Sequence, residues 1–197
     1  MSDWKTISSK IVYETPWIKI HRDEVLNQNG NPLTYSYMEL QNPSVYIVAV
    51  NTDGNILLHE SYRYTLRRRM WEVPAGFIDA GEEPLAAAQR ELMEEGGLVS
   101  TDWQSLGCAY QITGTGNVPM HVFLAQNVTK KGKALDEEED IQNDQFVSFD
   151  TIEVMIASGD LIDSSVMGAL YMAKIFLEEA AKGGQVSQPG RKTINKP

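Results

Sequence analysis

The sequence predicts an α+β fold of the α/β/α sandwich type, in which helices cover a mixed sheet and a small strand-rich lobe comes first. Segments that alternate apolar and polar residues recur between residues 9 and 149, and turn-forming residues separate them, which is typical of strands. Helical patterning occupies 84–95, a short stretch after residue 150, and 163–182. Together these segments indicate a mixed sheet with helices at its faces.

The N-terminal lobe is expected to span residues 1–43. Its strand-like segments are 10–15, 17–25 and 34–40. Pro16 and the turn-rich segment 27–32 separate them, so we expect antiparallel strands.

The second domain is expected to span residues 44–182. A hairpin is predicted around the turn 51–55, which joins the apolar segment 45–50 to the segment 56–64. Further strands are expected near 70–74, 105–112, 120–128 and 145–149. Cys108, the single cysteine, falls in one of these apolar strands and is expected to lie in the core. The tail 183–197 has too few apolar groups to pack and is expected to be disordered.

The three predicted helices each carry boundary signals. Pro84 suits the first turn of a helix because its missing N–H would have no helical partner there, and Gly96-Gly97 ends that helix. Asp150 or Thr151 is expected to cap the short second helix, which ends before Gly159. The third helix places apolar residues on one stripe, namely Val166, Leu170, Ala173 and Leu177.

Composition excludes several classes of protein. The formal charge of −10 argues against a nucleic-acid partner, which requires clustered basic residues. No apolar run approaches the length of about 18 to 20 residues that crosses a bilayer, so no membrane contact is expected. The N-terminus lacks the basic start and apolar stretch of a secretory signal, and we therefore expect a cytoplasmic setting. An anionic substrate would need bound cations to reverse the local field.

Three carboxylates on the first helix suggest such cations. Glu91, Glu94 and Glu95 stand at i, i+3 and i+4 and project from one face, where like charges repel. A divalent cation between them would relieve this repulsion, and hard oxygen ligands select magnesium or manganese over zinc. The alternative is a solvated acidic face. Apolar neighbours (Leu85, Ala86, Leu92 and Leu98) indicate instead that this helix has a buried side, and Arg90 is expected to pair with Glu82.

Residues 76–98 match the Nudix box, G-x5-E-x7-R-E-U-x-E-E-x-G-U with U an apolar residue, at every specified position. Those positions are Gly76, Glu82, Arg90, Glu91, Leu92, Glu94, Glu95, Gly97 and Leu98. The preceding segment 61–76 resembles the lead-in of the ADP-ribose pyrophosphatase and nucleotide-sugar diphosphatase branch. The chain is therefore identified as a member of the Nudix hydrolase superfamily.

The resemblance implies a role for each residue of the box. Glu91 and Glu95 would be the main ligands of Mg²⁺, for which Mn²⁺ would be able to substitute. Glu94 would bridge the metals or hold a metal-bound water, and the backbone carbonyl of Ala75 would complete the site. Glu82 and Arg90 would brace the loop rather than react, and Gly76 and Gly97 would permit the backbone turns that the loop and helix need.

A general base outside the box is also implied, because in this branch it comes from an acidic loop. The segment 136–140 is the comparable stretch here. Glu137 and Glu139 are the candidates, since their alternation would turn both toward the site. The alternative is a charged loop that is merely solvated.

Substrate-side residues follow from the same resemblance. Arg63 would contact a substrate phosphate. Glu72 would contact the substrate, or would form an ion pair within the arginine run 67–69. Independently of the resemblance, Trp17, Tyr35 and Tyr37 in the N-terminal lobe are aromatic and would be able to stack on a base. The alternative for each of these residues is packing within the lobe. In this branch the lobe commonly exchanges between subunits, so a homodimer is expected.

The implied reaction is hydrolysis of the diphosphate linkage of a nucleoside diphosphate derivative. ADP-ribose or a nucleotide sugar would yield a nucleoside monophosphate and a sugar phosphate. One departure is the segment 110–117, which keeps Gly114 but lacks the proline before it and the acidic residue after it that this branch usually has. GDP-mannose and NADH-type dinucleotides therefore stay open. A non-catalytic nucleotide-sugar sensor is a further alternative, although such a protein would be expected to lose box carboxylates.

Overall fold

A computed structural model describes residues 3–133 and 140–183. In this part of the chain the elements are, in order, β1 (Lys5–Glu14), β2 (Ile18–Leu26), β3 (Pro32–Leu40), β4 (Ser44–Ala49), β5 (Ile56–Arg63), β6 (Arg68–Glu72), β7 (Ala75–Phe77), α1 (Pro84–Gly96), β8 (Leu98–Val99), β9 (Asp102–Tyr110), β10 (Gly116–Asn117), β11 (Pro119–Gln126), β12 (Thr129–Lys130), β13 (Gln142–Val147), α2 (Phe149–Ser158) and α3 (Ser164–Ala181). The mixed α+β class predicted from the sequence is confirmed.

The chain divides into two compact units. The first contains the residues up to Pro43 together with Tyr110–Met120, and the second contains Ser44–Ala109 and the residues from His121 onward. The sequence predicts that residues 110–120 belong to the second domain. This segment joins the first unit because β10 pairs in parallel with β3, where Gly116 lies opposite Met38. The tail expected to be disordered lies, apart from Gly183, outside the described residues.

The first unit is one sheet with the strand order β1-β2-β3-β10. β1 pairs antiparallel with β2, and β2 pairs antiparallel with β3, as predicted. The turn between β2 and β3 is closed by Asn27, whose side-chain Oδ1 accepts hydrogen bonds from the backbone N–H groups of Asn29 and Asn31. β1 is an edge strand, and all ten of its residues are exposed.

The second unit is built around β4. Its sheets have the orders β7-β4-β11-β9, β13-β5-β6 and β12-β8. Successive side chains of a strand point to opposite faces. One face of β4 packs on α1, because the core cluster that includes residues of α1 also contains Val45, Ile47 and Ala49. On the other face, the Tyr46 side chain forms a hydrogen bond with the Ser165 side chain of α3. The two helices therefore cover opposite faces of β4, which makes this unit an α/β/α sandwich.

Helix α1 ends where the sequence predicted. Gly97 adopts the left-handed conformation with φ 62°, and its N–H returns to the Leu92 and Met93 carbonyls, which satisfies the last turn. The apolar anchors predicted on this helix are partly wrong, because Leu85 is 39% exposed and Ala86 is exposed too. The first buried positions of the helix are instead the next two residues, Ala87 and Ala88.

The other two helices begin at side-chain caps. Ser148 caps α2 by accepting a hydrogen bond from the Thr151 N–H, so the prediction of Asp150 or Thr151 as the cap is wrong. Asp163 caps α3 by accepting hydrogen bonds from the backbone N–H groups of Ser165 and Val166.

The prediction that Cys108 is buried is also wrong, because it lies on the edge strand β9 and is exposed. No helix in the described part of the chain is long and apolar enough to cross a membrane.

Candidate active site

Two of the three carboxylates of α1 lie on its buried stripe. Ala88, Glu91, Leu92 and Glu95 are spaced at i, i+3, i+4 and i+7, and all four are buried. Glu91 is 7% exposed and Glu95 is 2% exposed. The Glu94 side chain is 35% exposed, so it lies closer to solvent than the other two. Burying a carboxylate is costly unless it is paired or hydrogen-bonded, so each buried glutamate requires a partner.

The Glu91 carboxylate occupies space that a side chain at residue 76 would otherwise fill. A Cβ built on Gly76 would lie 2.1 Å from Glu91 Oε1, well inside van der Waals contact. Gly76 is on β7, opposite Val45 of β4. The Glu91 carboxylate thus lies directly against the backbone of β7, and any larger residue at 76 would push it away.

Arg90 joins three carboxylates. Its Nη1 donates to Glu91 Oε1 at 2.7 Å and to Glu94 Oε2 at 2.9 Å. Its Nε and Nη2 donate to the two oxygens of Glu82 at 3.1 and 3.0 Å, so the predicted pairing of Arg90 with Glu82 is present. Nη2 also donates to the Phe77 carbonyl. The hydrogen bonds from Arg90 hold the pKa of Glu82 below its usual value, and the Glu82 carboxylate in turn raises the pKa of Arg90.

Glu95 links α1 to two strands. Its Oε2 accepts a hydrogen bond from the Ala75 N–H of β7 at 3.0 Å, and the same oxygen lies 3.7 Å from Nε2 of His59 on β5. His59 is 1% exposed. Burial, aided by the charge of Arg63, lowers the pKa of His59 to about 4, so the ring is neutral at pH 7.

Arg63 and Glu72 form one ion pair across β5 and β6. Arg63 Nε donates to Glu72 Oε1 at 2.7 Å and to Oε2 at 3.0 Å, and Nη2 also donates to Oε2. The alternative that Glu72 pairs with the run 67–69 is therefore wrong. The Glu72 side chain is 6% exposed and that of Arg63 is 44% exposed, so a buried carboxylate holds a guanidinium that reaches solvent.

The donor atoms at this site fit a divalent cation by type. The oxygens of Glu91, Glu94 and Glu95 are the hard ligands that Mg²⁺ and Mn²⁺ prefer, and Gly76 makes room for one of these carboxylates. Among residues 3–133 and 140–183, no group of three His, Cys, Asp or Glu side chains is arranged to hold a metal ion. In the observed arrangement Arg90 supplies the positive charge between Glu91 and Glu94.

The remaining predicted site residues lie elsewhere. Glu137 and Glu139 are outside the described residues. Asp140, at the end of the acidic loop, accepts a hydrogen bond from Arg69 through Oδ2 at 2.5 Å. In the first unit Trp17 is 64% exposed, while Tyr37 stacks on His21 with ring centroids 4.7 Å apart.

His59 is the residue of this site that sequence reasoning missed. The three histidines of the chain are scattered and have no metal-ligand spacing, and none was singled out for that reason. The sequence did contain one signal for His59. It directly follows three apolar residues, 56–58, whose pattern predicts a buried strand, so a buried histidine could have been expected there.

Comparison with known proteins identifies the family of the chain. A NUDIX domain is matched over residues 40–167, and a nucleoside diphosphate sugar hydrolase N-terminal domain is matched over residues 4–38. The ADP-ribose pyrophosphatase of Mycobacterium tuberculosis is 37% identical over 142 residues, which cover 71% of this chain and 68% of the relative. The ADP-ribose pyrophosphatase of Bacillus subtilis is 29% identical over 143 residues, covering 73% of this chain and 75% of the relative.

A solved structure extends the similarity to the fold of most of the chain. The crystal structure of an ADP compounds hydrolase superposes with a TM-score of 0.81 at 20% identity, and it covers 92% of this chain and 98% of its own. A match of this size at low identity shows a shared fold. The NUDIX match and the relative at 37% identity show the family. The chain is therefore a Nudix hydrolase that carries a nucleoside diphosphate sugar hydrolase N-terminal domain.

Proposed function

We propose that this hydrolase cleaves the diphosphate linkage of ADP-ribose, or of a closely related nucleotide sugar, to a nucleoside monophosphate and a sugar phosphate. The observation that carries the proposal is the pair of buried carboxylates, Glu91 and Glu95, on a helix whose box is complete. The substrate class is supported by the two similar ADP-ribose pyrophosphatases.

Glu91, Glu94 and Glu95 would hold Mg²⁺ or Mn²⁺, together with the Ala75 carbonyl. When bound, the cation would supply charge neutralisation of the diphosphate and activation of the attacking water. The chain's own residues prepare the site. Glu91 and Glu95 are kept in place by burial and by contacts with Gly76 and the Ala75 N–H. Arg90 balances the charge of Glu91 and Glu94 and anchors the loop through Glu82.

Arg63 is proposed to bind a substrate phosphate. Its side chain is nearly half exposed, and the buried Glu72 fixes its guanidinium in position through a bidentate ion pair. Glu72 would then act through Arg63. Preorganisation of this kind lowers the entropic cost of binding an anion. Trp17 and Tyr37 are proposed to stack on the base, because aromatic side chains offer a flat apolar surface with a polar edge.

The acidic loop is proposed to supply the general base, with Glu137 and Glu139 as candidates. Two observations support this proposal. Residues 136–140 are all acidic. The last of them, Asp140, contacts Arg69 on β6, which is also the strand that carries Glu72. A base of this kind would accept the proton of the attacking water.

A homodimer is proposed through the N-terminal lobe. β1 is an edge strand of ten exposed residues, and it exposes large apolar side chains, Ile7, Ile11 and Tyr13. An exposed apolar edge strand invites pairing with another chain, and soluble proteins usually cover such an edge. A second copy of this lobe is the proposed cover.

The decisive experiment is a substrate panel at fixed Mg²⁺. ADP-ribose, GDP-mannose and NADH are incubated with the protein, and the monophosphate products are detected as phosphate after alkaline phosphatase treatment. We expect ADP-ribose to have the highest kcat/KM. Preference for GDP-mannose or NADH would keep the reaction and change the substrate. Turnover of none of them, with binding retained, would favour the sensor. Running the reaction in H₂¹⁸O identifies the phosphorus that is attacked.

A further inference from the structure

His59 ends the buried part of β5, where Ile56, Leu57 and Leu58 precede it. Its side chain is only 2% exposed, as is that of Glu95, against which its ring lies. A polar ring in this position costs free energy unless an interaction compensates for its loss of water. The position therefore calls for an explanation beyond packing.

Two contacts meet on one oxygen of Glu95. The Ala75 N–H donates to Oε2 at 3.0 Å, and His59 Nε2 lies 3.7 Å from the same atom. The separation of 3.7 Å exceeds hydrogen-bonding distance, so the contact with His59 in this arrangement is electrostatic. The Glu95 carboxylate of α1 is thus constrained by two groups from different strands, the Ala75 N–H of β7 and the His59 ring of β5.

The geometry also selects the tautomer of the ring. A nitrogen that faces a carboxylate must carry the proton, because its lone pair would otherwise repel the negative oxygen. His59 Nδ1 has no hydrogen-bond partner among the described residues, so nothing there competes for the proton. The favoured form of the ring has the proton on Nε2.

We propose that His59 is a positioning residue for the cation site. Its Nε2–H faces Glu95 Oε2 and, with the Ala75 N–H, holds that carboxylate in the orientation that a divalent cation requires. The inference rests on the proposed function. At 3.7 Å the Nε2–H of His59 would act on the carboxylate electrostatically, whereas the Ala75 N–H makes a hydrogen bond. Loss of a group that orients the ligands of a metal typically costs about 10- to 100-fold in metal affinity.

Three variants separate positioning from packing. H59L keeps the volume and removes the donor, and H59Q restores an N–H at the depth of Nε2. H121L is the matched control, since His121 is a partly buried histidine on another strand, β11. Mn²⁺ binding is measured by electron paramagnetic resonance without substrate, and thermal unfolding checks that each variant folds. Steady-state kcat and KM are recorded alongside.

We expect H59L to bind Mn²⁺ about 10- to 100-fold more weakly, with H59Q close to wild type and H121L unchanged. Long-range ¹H–¹⁵N spectra of the metal-free wild type should show the Nε2–H tautomer, a result that needs no variant. A folded H59L that binds Mn²⁺ like wild type would overturn the inference, as would an Nδ1–H tautomer. Wild type that binds no Mn²⁺ would remove the proposed function, and with it this role of His59.

Discussion

Single residues on α1 carry charges in places where water is largely absent. Glu91 and Glu95 share the stripe of α1 with Ala88 and Leu92, which belong to the hydrophobic core. For stability alone, apolar residues there would be as good or better, since a buried ion pair often contributes nothing net. Retaining carboxylates in such positions is characteristic of functional sites.

Replacement of Glu95 should separate function from stability. We expect E95Q and E94Q each to reduce kcat by at least about 100-fold, because each removes a charge that the cation requires. The fold should persist, since glutamine is nearly isosteric and still accepts the Ala75 hydrogen bond. Turnover and thermal unfolding are the measurements. E83Q makes the same charge change on an exposed residue just before the helix and should leave kcat unchanged. Full activity in both E94Q and E95Q would contradict the metal assignment.

Glu82 should make stability depend on pH. Its hydrogen bonds with Arg90 hold its pKa in the folded protein below the usual value of 4.5. A depressed folded pKa means that the unfolded state binds more protons, so the stabilisation is present above pH 4.5 and is lost as the pH falls through the folded pKa.

The difference in unfolding free energy between wild type and E82Q should therefore stay constant from pH 7 to about pH 5 and shrink below pH 4.5. Urea unfolding at a series of pH values measures it. E83Q serves as the reference for an exposed neighbouring glutamate. A difference that stays the same down to pH 3 would show that the ion pair does not contribute in this way.

At the scale of elements, helix ends differ in how they are stabilised. Asp163 caps α3 by accepting from Ser165 N at 2.7 Å and from Val166 N at 3.0 Å. α1 begins at Glu83 without any side-chain capping bond, and Pro84 instead removes one unsatisfied donor. The capping residue therefore matters more to α3 than to α1.

We expect D163A to lower the unfolding free energy by about 1 kcal/mol, within the usual range for loss of a cap of about 0.5–2 kcal/mol. E83A should change it by less than about 0.5 kcal/mol, as surface substitutions generally do. Urea unfolding of the two variants side by side is the measurement. Equal losses in D163A and E83A would mean that the Asp163 side chain is not the stabilising group.

At the scale of the whole molecule, the exposed edge of the first unit should govern assembly. Ile11 and Tyr13 on β1 are 43% and 58% exposed, and charged residues in their place would disfavour pairing of two edges. We expect the wild type to sediment as a dimer and the double variant I11K/Y13K to sediment as a monomer, by analytical ultracentrifugation.

The matched control for assembly is V154K. Val154 is an apolar residue of α2 in the second unit and is 66% exposed. V154K should remain a dimer, because it adds charge without altering the N-terminal edge. Wild type that sediments as a single chain at every concentration would contradict the proposed homodimer.

Prediction from the sequence succeeded where the decisive contacts are local. The end of α1 at Gly97 and the Arg90–Glu82 pair were both predicted, since each depends on residues within a few turns of one another. Prediction failed for the burial of Leu85 and Ala86 because the phase of a helix against the core depends on what packs on it. It also failed for the cap of α2, where the neighbouring Ser148 was the better-placed oxygen.

By itself the sequence determined the box, and with it the spacing of Glu91, Glu94 and Glu95 on one helix. That spacing is a property of helical geometry and holds whatever surrounds it. Only the tertiary structure decided that His59 lies against Glu95, that Glu72 holds Arg63, and that β10 joins β3. These contacts depend on how separate strands pair and pack, and chain spacing alone does not specify the register or packing of distant segments.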